Sequence, residues 1–370
     1  MDHWTWPHTR VTALLGITYP LIQAGMAGGT TTPALVAAVS NSGGLGTLGA
    51  AYLSPDALRK AVRATRRLTD RPFAVNLFVP TPFAIDPHQI ERMAARLAPY
   101  RDAMGLPAPP TMERYAESFD EQVTAVLDER APVFSFTFGI PEPDVLRRFK
   151  ERGVPTCGTA TTVREARALT DAGVDLIVAQ GSEAGGHRGT FLGPIDDALI
   201  GTMALVPQIV DRVPLPVIAA GGIMDGRGVA AALALGAAGA QLGTAFLACP
   251  ESGAPSAHKE ALRRATDEST QLTRAISGRA ARGIANRLGV EVAEPDDAIP
   301  PFPIQHTLTR GIRQAAAAQG RSEFLALWAG QAVSLVRTTP AGTLVTDIAA
   351  ETVTLLRRGG MPPAGDKRNA

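Results

Sequence analysis

Residues 216–246 read PVIAAGGIMDGRGVAAALALGAAGAQLGTAF. An apolar run, 216–221, ends in a glycine pair. A stretch with helical spacing follows over 225–236. A second apolar run begins at Gly239, and the reading carries it to Phe246. Neither run alternates between apolar and polar residues. Two such strands joined by a helix belong to a parallel sheet buried on both faces. The same unit recurs upstream, where strands are predicted at 19–25, 44–50, 73–79, 133–138, 154–158 and 175–180. With them come helices near 31–41, 55–68, 121–130, 142–152, 161–172 and 201–212, and a last one at 257–268. Eight strand–helix units over roughly 250 residues is the size of a (β/α)8 TIM barrel. An open doubly wound sheet is the alternative. It ordinarily has about six strands and one crevice, whereas glycine loops recur here at many strand ends.

The 370-residue chain is longer than the barrel needs. The expected organisation is a barrel over 12–255, a helical substrate-binding cap over 256–340, and a C-terminal segment with a frayed tail over 341–370. A Pro-rich stretch at about 80–120, with a helical piece near 89–98, reads as an insertion in the barrel. Within the cap, helices are expected at 257–268, 310–319 and 322–336.

Composition excludes several classes. Lys+Arg is 36 and Asp+Glu is 35, for a net charge of +1. That offers no field for non-specific capture of nucleic acid or a membrane surface. Cys157 and Cys249 are the two cysteines, too few for a disulfide framework or a multi-cysteine metal site. No metal is expected. The opening MDHWTWPHTR lacks a basic then apolar leader, and no stretch is a clean ~20-residue membrane span. The expectation is a soluble, cytoplasmic protein.

In a parallel barrel the site lies at the C-terminal ends of the strands. There the first strand leads into Gly25-Met26-Ala27-Gly28-Gly29, and the third carries Asn76. The sixth ends in Gln180, followed by GSEAGGHRG over 181–189. The seventh ends in Gly221-Gly222, and the eighth carries Gln241 and Gly243-Thr244. Barrels often hold phosphate between the last two loops, on backbone N–H groups that glycine leaves accessible. Asn76 and Gln180 both donate and accept, which suits the edge of a flavin ring or a satisfied core amide. His187, in a glycine-rich loop at the mouth, is the candidate base or cationic anchor. Glu183 is a possible second acid. Cys157 reads as a small buried residue. His306, in the cap, is a weaker candidate, and His258 has no comparable setting. Arg279 and Arg282 either attract an anion or decorate a helix end. HExxH, CxxC, Walker and GxSxG signatures are absent, and Gly25-Met26-Ala27-Gly28-Gly29 does not have the spacing of a dinucleotide fingerprint.

The chain resembles the nitronate monooxygenases (2-nitropropane dioxygenases) of the class I type. The carrying stretches are YPLIQAGMAGG at 19–29, FAVNLF at 73–78, FSFTFGIP at 134–141, AQGSEAGGHRG at 179–189 and AAGGIMDGRG at 219–228. QLGTAF at 241–246, SGRAARGIANR at 277–287 and LWAGQ at 327–331 complete them. The resemblance implies an FMN-dependent TIM barrel with a helical substrate domain; a monomer or homodimer is expected. It implies oxidation of alkyl nitronates by O2 to a carbonyl compound and nitrite. It further implies FMN contacts from Met26, Asn76, Gln180, Gly185, Gly222, Gln241, Leu242, Gly243 and Thr244, with His187 as the active-site histidine. The sequence departs from the family pattern at PFPIQHTLT (301–309), where His306 replaces an expected amide, and in a cap that lacks tyrosine.

Two other classes fit parts of the pattern. An FMN-dependent enoyl or quinone reductase would share the barrel but need NAD(P)H. A flavin-free aldolase or isomerase would use the same phosphate loops, yet Lys60, Lys150, Lys259 and Lys367 stand at no predicted strand end.

Overall fold

The computed structural model describes residues 6–108, 114–293 and 298–358. From the N-terminus, α1 (Arg10–Leu15) precedes β1 (Leu21–Gln23), α2 (Pro33–Asn41), β2 (Gly46–Gly49), α3 (Pro55–Arg66) and β3 (Phe73–Phe78). Then come α4 (Pro87–Ala103), α5 (Phe119–Asp128), β4 (Val133–Thr137), α6 (Pro143–Glu151), β5 (Thr156–Ala160), α7 (Val163–Asp171) and β6 (Leu176–Gln180). A two-residue β7 (Gly186–His187) is followed by α8 (Thr202–Val210), β8 (Val217–Ala220), α9 (Gly226–Ala234), β9 (Gly239–Leu242) and α10 (Thr244–Leu247). Last are α11 (Ser256–Arg264), β10 (Thr270–Thr273), β11 (Ala281–Ile284), α12 (Arg287–Glu291), α13 (Ile304–Gln319) and α14 (Ala341–Arg358). Several helices start where a capping side chain precedes proline. Thr32, Ser54 and Asp86 each accept backbone N–H groups ahead of Pro33, Pro55 and Pro87, and proline is pre-shaped for the first helical position.

Eight parallel strands run in the order β1-β9-β8-β6-β5-β4-β3-β2. The ends meet through Ile22 and Leu45, where Gln23 N–H donates to Leu45 O and Leu45 N–H to Leu21 O, each at 2.9 Å. The sheet is therefore a closed (β/α)8 barrel, and the open-sheet alternative falls. Alternate residues of each strand point inward. Low in the barrel these are Ile22, Leu45, Ala74, Val133, Cys157, Leu176 and Ile218, packed on Val11 and Leu15 of α1, which plugs the base. Outward residues such as Val75, Phe134, Ile177 and Ala240 bury against the helical ring.

The structure departs from the sequence reading in four places. The eighth barrel helix is α14, which packs on α9 and α2 and completes the ring; the predicted helix at 257–268 is α11, buried instead against Leu247, Ala329 and Val333. Helical periodicity shows that a segment has an apolar face but not which neighbour covers it. The rest of the expected C-terminal tail, 359–370, lies outside the described residues. Second, the cap contains a three-stranded antiparallel sheet, β10-β11-β7, so it is not purely helical. Third, 322–336 holds two short 3₁₀ turns, Ser322–Phe324 and Val333–Leu335, rather than one helix, because its backbone bonds go to Arg282 and Glu183. Fourth, the insertion helix α4 is longer than 89–98, and Met93 and Leu97 pack with Ile304, Leu308 and Ile312 in the cap core.

Glu351 of α14 ties the ring together by accepting Gly226 N–H at the start of α9 (2.9 Å) and pairing with Arg337 (2.7 Å). Ile348 is fully buried against this seam. Ile348→Ala should cost about 2–5 kcal/mol of unfolding free energy, measured by urea denaturation. Exposed Thr346→Ala should stay within about 0.5 kcal/mol.

Candidate active site

The upper inward positions of the strands are polar or small. Asn76, Ser135, Thr137, Thr159, Gln180 and Gln241 floor a cavity of about 520 Å³ between barrel mouth and cap. Met26, Gly185, His187, Gly222, Gly243 and Thr244 line its sides. Of the ten residues that the family resemblance implies at the site, all but Leu242 thus converge. Leu242 does not line it. Its neighbour Gln241 points inward, so the two-residue strand period turns the Leu242 side chain outward into the core.

Strand β9 ends at Leu242 rather than running to 246. Gly243 adopts φ −107°, ψ −68° and turns the chain into α10. Thr244 Oγ1 accepts Gly330 N–H at 2.9 Å, which leaves the hydroxyl proton as the group it can offer. Across the corner, Gly221 (φ +113°) and Gly222 (φ +71°) hold backbone conformations that favour glycine. A side chain at Gly185 would collide with the Ala329 backbone, its Cβ 2.5 Å away, so the sixth loop and the 328–331 strap touch backbone to backbone.

The two amides have partners in the protein. Asn76 Nδ2 donates to Ser135 Oγ at 2.9 Å. Gln180 Nε2 donates to His187 O (3.1 Å) and its Oε1 accepts Gly189 N–H (2.8 Å). Gln180 therefore fastens the loop that carries His187. Arg188, 1% exposed, adds bonds to the carbonyls of Gly181, Gln180 and Ala198. Glu165, wholly buried, accepts from Thr161 N–H and Oγ1–H and from Phe191 and Leu192 N–H. Glu183 is no second acid; its carboxylate accepts Thr202 N–H and Oγ1–H at 2.9 Å.

The His187 ring sits among Phe78, Phe138, Phe302 and Trp328, with centroids 5.5–6.0 Å away. Its Nε2 is 2.9 Å from Ser277 Oγ. Burial, and then the charges of Arg279 and Arg313, push its pKa down to about 3. It is neutral at physiological pH: a hydrogen-bonding group and base, not a resting cation. Phe138 holds φ +81°, a strained conformation for a bulky side chain, and Arg279 lies 3.9 Å above its ring. Arg279 also donates to the carbonyls of Arg188 and Thr190. It sits in the turn before β11, so it does not decorate a helix end.

Sequence reasoning undervalued four residues. Tyr52, after β2, stacks on His306 at 4.1 Å, and its buried hydroxyl has no partner in the protein. His306 lines the cavity at 9% exposure, its Nδ1 3.3 Å from Arg313 Nη2. Arg313 otherwise donates to Thr309 Oγ1 and His306 O; burial lowers its pKa to about 10. His258 also lines the cavity, 3.1 Å from Trp328 O. The helical spacing of 306, 310 and 313 was the available signal, but only the fold shows that this face of α13 roofs the barrel. Cys157 is buried as expected, its thiol pushed up to about 12.

Among the described residues the cavity is lined by Arg310, Arg313, three histidines and Tyr52, and by no Asp, Glu or Lys. No His/Cys/Asp/Glu cluster there could hold a metal, and no helix there is long and apolar enough to cross a membrane.

A closed (β/α)8 barrel with a roofed, cationic cavity around a half-buried histidine defines an enzyme of small-molecule chemistry, and its relatives are oxidoreductases. The chain belongs to the nitronate monooxygenase family, matching it over residues 8–351. A probable nitronate monooxygenase of Staphylococcus saprophyticus is 47% identical over 352 residues, covering 95% of this chain and 99% of the relative. Another from Staphylococcus aureus is 48% identical over 344 residues, covering 93% and 97%. Among solved structures, nitroalkane oxidase from Streptomyces ansochromogenes superposes with TM-score 0.87 at 42% identity, covering 94% of this chain and 99% of that one. FabK from Thermotoga maritima superposes at 0.76 with 32% identity, covering 95% and 98%.

Two predictions follow from the buried polar groups. An unpartnered hydroxyl costs about 1–3 kcal/mol, so Tyr52→Phe should stabilise the ligand-free protein by about 1 kcal/mol, read by denaturant unfolding. The folded-state pKa values of His187 (about 3) and His258 (about 4) lie below the ordinary 6.5. Below pH 6.5 the unfolded chain takes up these protons first. Stability should be full above about pH 6.5 and fall progressively toward about pH 3, and His187→Asn should flatten that slope in a melting-temperature series.

Proposed function

We propose that the protein oxidises alkyl nitronates with O2 to a carbonyl compound and nitrite, using FMN. The observation that carries this reading is the carboxylate-free, cationic lining. An anionic substrate and a phosphate-bearing cofactor can share this cavity without meeting a like charge. The residues fit FMN. Gly221-Gly222, Gly243 and Thr244 form the corner suited to its phosphate, with Met26, Asn76, Gln180, Gly185 and Gln241 about its ring. When bound, FMN supplies the redox chemistry between nitronate and O2.

The chain's own residues do the rest. Arg310 and Arg313 draw the anion under the cap. The aromatic ring around His187 excludes water, which strengthens each polar contact inside. Neutral His187 can take the α-proton of a nitroalkane, or hydrogen-bond a nitronate. An anion bound beside it favours its charged form and raises its pKa. The enzyme acts in the cytoplasm as a monomer or homodimer, without nucleic-acid or membrane partners.

The likeness to FabK supports a second reading, reduction of the flavin by NAD(P)H. Purified protein with a flavin spectrum should release nitrite from propyl nitronate in air without NADH. Anaerobic bleaching by NADH with no nitrite from nitronate would favour the reductase. His187→Asn should keep the flavin and lose about 10²–10⁴ in kcat/KM.

A further inference from the structure

We infer that Ser277 is a positioning residue that dictates which ring nitrogen of His187 carries the proton. This rests on the reading of His187 as the group that takes the substrate's proton.

Ser277 is 1% exposed and lies in the turn that leads into β11. Gly278 follows it at φ +83°, and a side chain there would strike Pro300 O at 2.4 Å. The turn is thus pressed against the segment that presents Phe302. On its other side, β11 pairs antiparallel with β7, placing Ala281 opposite His187. Arg188 N–H donates to Ala280 O at 2.9 Å. The distance from Ser277 to His187 is therefore set by a backbone ladder, not by two free side chains.

The hydrogen-bond accounting decides the proton. Ser277 Oγ stands 2.9 Å from His187 Nε2 and 3.1 Å from Arg279 O. The hydroxyl has one proton and both neighbours can accept it. Given to Nε2, it leaves the half-buried Arg279 carbonyl without this donor, and a carbonyl shielded from water loses stability when its donor is removed. Given to the carbonyl, it leaves Oγ free to accept N–H groups from Nε2 and from Arg279 (3.4 Å), so the hydroxyl, the carbonyl and Nε2 are all satisfied. The imidazole is then held as the Nε2–H tautomer, with its lone pair on Nδ1. For a neutral nitroalkane the step balances without a further reagent. The α-C–H proton passes to Nδ1, and the C–H electron pair becomes the C=N bond of the nitronate. The negative charge then rests on its oxygens beside the new imidazolium.

The full-length protein as purified, labelled with ¹⁵N-histidine, tests this by long-range ¹H–¹⁵N correlation of the ring nitrogens, with His187 assigned from the His187→Asn spectrum. The expected result is a protonated Nε2 and an unprotonated Nδ1 from about pH 5 to 8. In Ser277→Ala that preference should vanish, and kcat/KM for a nitroalkane should fall at least about tenfold, part of what a positioned base contributes. Turnover of the ready-made nitronate should change less. Ser277→Thr, which keeps the hydroxyl, should restore both signals and rate. A protonated Nδ1 in the wild-type protein, or ring signals unmoved by Ser277→Ala, would overturn the inference, and the wild-type spectrum decides even where the alanine variant fails to fold. Full nitroalkane turnover by His187→Asn would instead remove the functional reading and leave the tautomer result standing.

Discussion

The structure rests on the two-residue period of its barrel strands. Each strand sends alternate side chains inward, and the closed barrel leaves them nowhere else to go. Low in the barrel those positions are Ile22, Ala74, Val133, Cys157, Leu176 and Ile218, and they make a plug with α1. Two residues further along the same strands stand Ala24, Asn76, Ser135, Thr159, Val178 and Ala220, which face the cavity. Val178 and Ala220 belong to both layers. A shift of one residue in any strand would put its apolar set into the cavity and its polar set into the helical ring.

Above the strands, order depends on buried charge tied to backbone. Glu165 collects N–H groups from the far end of the sixth loop. Arg188 collects carbonyls from its near end. Between them the loop carrying His187 is held at both sides, while Arg279 reaches over from the cap to the carbonyls of Arg188 and Thr190. The cap and barrel therefore share one polar network beside His187. The shielded setting strengthens each of these bonds, and within the network the buried Nε of Arg188 is left without a partner in the protein.

Much of this was legible in the sequence. All eight strands could be placed, because each is a short unbroken apolar run ended by glycine or a small polar residue. His187, Gln180 and the two glycine corners could be picked out because strand ends are where a barrel keeps its site. Three things were not legible. Leu242 was grouped with its neighbours because a motif is contiguous, whereas a strand presents every second residue. Tyr52, His306 and Arg313 come from segments distant in sequence, and no local pattern announces that they meet. The partner of the eighth strand was misassigned for a related reason. The stripe Leu344, Val345, Ile348, Ala349, Thr352 and Leu356 has the spacing of an amphipathic helix, but it stands far down the chain from β9.

That last separation has a consequence for how the molecule is made. The cap is spliced between the final barrel strand and the helix that covers it. A growing chain therefore completes its cap before the ring of helices around the barrel can close. Until the segment through Arg358 has emerged, the flanks of α2 and α9 that α14 covers stay bare. The packing of α14 on α9 and α2 is also long-range in sequence, and such contacts slow folding. Synthesis thus leaves a seam of apolar surface open until α14 has emerged, and exposed apolar surface makes an unfinished chain prone to stick to its neighbours.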